Sequence, residues 1–97
     1  MEFLKKLFKP KKEENAPKLA LDGEVFRMRG EYKKALKNFN KAILIEPNND
    51  MFYASRSAAK KGLKDFKGAL KDIEKAIELK PTVNAYKKAE KELKCFI

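Results

Sequence analysis

Histidine and tryptophan are absent from the 97-residue chain, and cysteine occurs once, as Cys95. Structural zinc and iron–sulfur sites draw on clusters of His and Cys, so no metal and no cofactor is expected. A catalytic triad or a Cys–His pair cannot be assembled without histidine, and a non-catalytic protein is expected. One cysteine cannot close an intrachain disulfide. Long apolar runs are missing too: none approaches the roughly 20 residues that a helix needs to cross a bilayer. The first residues, MEFLKKLFKPKK, lack the apolar stretch and small-residue cleavage site of a signal peptide. Cys95 is third from the end, not fourth as a prenylation box requires. A cytoplasmic location is therefore expected. Acidic side chains are also scarce, 14 Asp and Glu against 24 Lys and Arg, a net charge of +10.

What remains is a composition that folds. A hydrophobic content of 43% is too high for a disordered basic tail. The length suits one small domain, which buries roughly 60–65% of its unfolded surface.

The four prolines serve as rulers. Pro47 and Pro81 stand 34 residues apart, and the residues before each repeat one another at that offset. Lys33, Ala35, Leu36, Lys37, Lys41, Ala42 and Ile43 recur as Lys67, Ala69, Leu70, Lys71, Lys75, Ala76 and Ile77. A fixed period of this size marks a repeat architecture. Within residues 31–46, Tyr32, Ala35, Leu36, Phe39, Ala42 and Ile43 recur at steps of three and four, the stripe of an amphipathic helix. Phe66, Ala69, Leu70, Ile73, Ala76 and Ile77 make the same stripe in the second copy. Each stripe stops before a proline, which disfavours helix at the preceding residue. Further helices are predicted over residues 17–29, 50–63 and 82–96, with Gly30 ending the first and Asp50 capping the second.

The period, the paired helices and the small residues at fixed places resemble the tetratricopeptide repeat family. Gly23, Phe26, Ala35, Phe39, Ala42 and Pro47 fall on the family's glycine, aromatic, alanine and proline positions in one repeat. Tyr53, Ser57, Ala69, Ala76 and Pro81 do so in the next. Leu19 and Asp22 depart from the pattern, and Gly62 stands two places before the usual turn glycine, so a different turn is expected there. The resemblance implies an all-α fold: antiparallel helix pairs stacked as a short right-handed α-solenoid of five helices. Repeat one spans residues 16–49, repeat two 50–83 and a capping helix 84–97, after a basic amphipathic segment and charged linker at 1–15.

Family members hold a peptide or partner helix in a concave groove lined by the first helix of each repeat. Carried over, the groove positions are Pro17, Ala20, Glu24 and Arg27, then Met51, Ala54, Ala58 and Lys61. Ala85, Lys88, Glu92 and Cys95 continue them in the capping helix. Small side chains flanked by Arg27, Lys61 and Lys88 imply a protein or peptide partner, acidic or amphipathic. The family's clamp for the C-terminal carboxylate of heat-shock chaperones is not expected. Ala20, Glu24 and Ser55 stand where it needs cationic and amide side chains, and Glu24 would repel a carboxylate.

A second candidate site is the N-terminus. Phe3, Leu4, Leu7 and Phe8 share one helical face, with Lys5, Lys6 and Lys9 around the other and Pro10 ending the segment. Under three turns long, it is largely unfolded alone in water. Three readings stay open: packing against its own domain, contact with a partner or oligomer, and weak contact with an anionic membrane. Nucleic acid or ribosome binding is the weaker use of the charge. It spreads as +2, +3, +3 and +2 over residues 1–15, 16–49, 50–83 and 84–97, whereas nucleic-acid readers concentrate it on one face. Tyr53 and Tyr86 read as packing between helices, and Asp72, Glu74 and Glu78 as surface charges. The chain is expected to be a monomer or a weak homodimer through Leu93, Phe96 and Ile97.

Overall fold

The computed structural model describes residues 15–97, and all regular structure among them is helical. The helices are α1 (Ala16–Met28), α2 (Tyr32–Ile45), α3 (Asp50–Gly62), α4 (Phe66–Leu79) and α5 (Asn84–Lys94). α1 packs on α2 and α3 on α4 as antiparallel pairs; α2 leans on α3, and α5 closes the array against α4. This is the solenoid-like stack that the family resemblance implied. None of these helices is long and apolar enough to cross a membrane.

Local chemistry sets the helix starts. Asn15 caps α1 by accepting a hydrogen bond from the Lys18 amide at 2.9 Å, and Pro17 sits in the first turn, where its missing N–H costs nothing. Asn49, not Asp50, caps α3; its Oδ1 accepts from the Met51 amide at 3.0 Å, and Asp50 is the first helical residue. There the acid still faces the positive end of the helix dipole. Asp65 caps α4 through the Gly68 amide at 3.0 Å.

The turns within the two pairs are alike, contrary to the expectation drawn from Gly62. Gly30 has φ +78° and Lys64, 34 residues on, has φ +63°. Lysine thus takes the left-handed position that glycine fills in the first pair, at a steric cost glycine avoids. Gly62 acts in helix packing instead, since a Cβ there would run into the ring of Tyr32. It lets α2 lie close against α3.

The core is built from the 34-residue period. Ala35, Ala42, Ala59, Ala69 and Ala76 have no exposed surface, and the helices meet closely over them. Among the described residues, Phe39 is the one large side chain fully buried, against Ala35 and Ala59. Leu19, Ile43, Phe52, Tyr53, Ile73, Tyr86 and Leu93 fill the larger cluster. Two expectations need correction. Leu93 packs inside its own chain, so it cannot serve a dimer contact. Asp72 is buried rather than a surface charge, because Arg56 and Lys60 of α3 reach across to neutralise it.

Candidate functional site

Because α1 and α3 are the first helices of consecutive pairs, equivalent positions on them face a shared groove. Its volume is about 380 Å³, and its walls are Pro17, Ala20, Leu21, Glu24, Asn49, Met51, Phe52 and Ser55. The lining is mostly apolar. A larger hollow of about 490 Å³ covers the turn from Glu46 to Met51, but consecutive residues line it and no second element faces them. The groove between two helices is the better-formed site.

Of the groove residues expected from sequence, Pro17, Ala20, Glu24 and Met51 come together here. Ala54 instead packs against the core, and Ala58 is half-buried beside it on α3. Arg27 does not offer a free cation. Its Nε and Nη2 donate to Glu24 Oε2 at 3.1 and 2.7 Å, so each neutralises the other one helical turn apart. The negative charge expected to repel a carboxylate is therefore compensated. Lys61 is exposed in the last turn of α3, ten residues and roughly 15 Å along the helix from Met51. Ala85, Lys88 and Glu92 lie exposed on α5 and Cys95 just after it, away from the α1–α3 groove.

The candidate surface is thus divided. An apolar groove occupies the N-terminal halves of α1 and α3, and cationic side chains mark the C-terminal end of α3 and the outer face of α5. Leu21, Asn49, Phe52 and Ser55 were not among the residues expected to line the groove. Leu21 and Ser55, one period apart, hold equivalent places on α1 and α3, but that both line this groove follows from the packing and not from the period. Phe3, Leu4, Leu7 and Phe8, the second candidate site, lie outside the described residues.

A family model described as tetratricopeptide repeat matches residues 25–49 and 52–83. The small glutamine-rich tetratricopeptide repeat-containing protein 2 of Saccharomyces cerevisiae is 34% identical over 67 residues, 69% of this chain and 19% of that protein. The Hsp70-Hsp90 organizing protein of Triticum aestivum is 40% identical over 52 residues, 54% of this chain and 9% of that protein. This chain accordingly spans less than a fifth of the length of either relative. Among solved structures, the Arabidopsis OM64 TPR domain matches with a TM-score of 0.82 at 30% identity, covering 86% of this chain and 69% of that one.

Proposed function

Because the chain belongs to the tetratricopeptide repeat family, we propose that it is a non-catalytic adaptor that holds an amphipathic, acidic segment of another protein. The apolar groove between α1 and α3 carries the proposal. Met51 stands exposed on its wall and gives a partner's apolar side chains something to cover. Acidic residues further along the same segment would meet Lys61. The name of the wheat relative joins two heat-shock proteins, which supports a protein partner. A clamp on a terminal carboxylate is not proposed, because Ala20, Glu24 and Ser55 bring no free cation into the groove.

Titration of the chain into a fluorescently labelled amphipathic acidic peptide tests this reading. Met51→Glu places a charge on the apolar wall at an exposed position, and affinity should fall by about tenfold or more, roughly 1.4 kcal/mol. Lys61→Glu should weaken binding further and flatten its salt dependence. Affinity unchanged in both variants overturns the groove as the binding site.

A further inference from the structure

The 34-residue period sets three equivalent triads on successive first helices: Leu21, Val25 and Met28 on α1, then Ser55, Ala59 and Gly62 on α3, then Ala89, Leu93 and Phe96 at α5. The middle residue of the second and of the third, Ala59 and Leu93, is buried under the helix that precedes it, whereas Ser55 and Ala89 are half-buried and Phe96 stays 56% exposed. α2 lies over the second: Ala59 is fully buried with Ala35 and Phe39, and the Tyr32 ring sits where a Gly62 side chain would be. α4 lies against α5, with Leu93 buried and Phe96 stacked on Phe66 at 4.4 Å between ring centroids. Phe66 is itself the period mate of Tyr32. The first triad carries larger apolar side chains than the second, yet Leu21, Val25 and Met28 are 65%, 40% and 78% exposed.

We propose that residues 3–9 dock as a short helix on this Leu21–Val25–Met28 face, in the place that α2 holds against α3. The spacing of Phe3, Leu4 and Leu7 is that of Ala35, Leu36 and Phe39, the residues by which α2 meets its neighbours. The connection is long enough. Four residues, 46–49, carry the chain from α2 to α3, whereas six, 10–15, are available before α1. Lys5, Lys6 and Lys9 fall on the other side of such a helix and stay in water. The bulk of the triad suits the arrangement: a short covering helix reaches less far than α2, and Leu, Val and Met fill what Ser, Ala and Gly leave to Tyr32 and Phe39.

Methionine oxidation reads this directly, because Met28 lies under the proposed contact and Met51 on the groove wall outside it. Limited peroxide treatment of the full chain, followed by peptide mass spectrometry, should oxidise Met28 about fivefold more slowly than Met51, since access to the thioether governs the rate. In the variant Phe3→Ser, Leu4→Ser, Leu7→Ser, Phe8→Ser the two rates should become equal, with the Met51 rate unchanged. Equal rates in the unaltered chain overturn the proposal. So does protection of Met28 that persists in the variant, or that grows with protein concentration, since the latter assigns the face to a second copy. The four substitutions lie outside the five described helices; a cooperative unfolding transition in the variant, with helical circular dichroism lowered by no more than residues 3–9 contribute, shows that those helices stay folded.

Discussion

Arg56 of α3 grips Asp72 of α4 with both arms of its guanidinium, Nε to Oδ2 and Nη2 to Oδ1, each at 2.8 Å. The carboxylate side chain is 6% exposed, and Lys60 adds a contact to Oδ2 at 3.0 Å. Arg56 also donates to Asn40 of α2 at 3.0 Å, so one residue ties the second pair to the first. Two cations facing one buried anion tolerate loss of a cation better than loss of the anion. Asp72→Ala should cost about 2–4 kcal/mol, because it leaves Arg56 and Lys60 facing each other. Arg56→Ala should cost less, since Lys60 remains. Urea unfolding of both variants checks the order.

Gly23 lies beneath Phe39. A Cβ at Gly23 would approach Phe39 Cε1 to 2.7 Å, and Phe39, wholly buried, has no room to move. Alanine favours helix over glycine by about 1 kcal/mol, but overpacking at such a site costs more. Gly23→Ala is expected to lower stability by about 1–3 kcal/mol, measurable as a lower urea midpoint.

The equivalent turns at Gly30 and Lys64 should respond oppositely to substitution. Both backbones are left-handed, and space around Gly30 is open, so only conformational strain is at issue. Lys64→Gly is expected to stabilise the chain by about 0.5–1 kcal/mol, and Gly30→Ala to destabilise it by about 1 kcal/mol. Thermal melts of the two variants should shift in opposite directions.

Tyr86 of α5 donates its hydroxyl to Asp50 Oδ2 at 2.6 Å, joining the closing helix to the start of α3. Burial pushes the phenol up from 10.0 to about 12, and the hydrogen bond to Asp50 and that residue's negative charge add to the effect. The fold favours the neutral phenol, so this contribution is complete below pH 10 and disappears as pH rises through about 12. Stability should therefore fall more steeply over that window in the unaltered chain than in Tyr86→Phe. Denaturant unfolding at stepped alkaline pH, beside tyrosinate absorbance at about 295 nm, gives the comparison.

Local patterns made much of the fold legible. Apolar steps of three and four mark where each helix buries a stripe, prolines mark where helix cannot continue, and the common offset of Ala35 and Ala69 shows two like units. The cap of α3 was misplaced by one residue because Asn49 and Asp50 are equally good acceptors in sequence, and only backbone geometry chooses between them. The site was less legible. Its N-terminal members, Pro17, Ala20, Glu24 and Met51, follow from the family's groove positions carried onto this chain, but the pairing of Arg27 with Glu24 depends on rotamers that a pattern does not carry.

Sequence alone determined the described helices and their 34-residue repeat, because those follow from periodicities along one chain, and resemblance to the tetratricopeptide repeat family implied their pairing over small residues. Tertiary structure decided what each charge and turn does. Asp72 sits between Lys71 and Lys75 and reads as a solvated residue, yet its partners, Arg56 and Lys60, come from another helix 16 and 12 positions away. A left-handed Lys64 likewise has no local signature; packing of α3 against α4 holds it there. Interactions within one or two turns are written in neighbouring residues. Burial and charge compensation belong to surfaces that meet only once the helices have stacked.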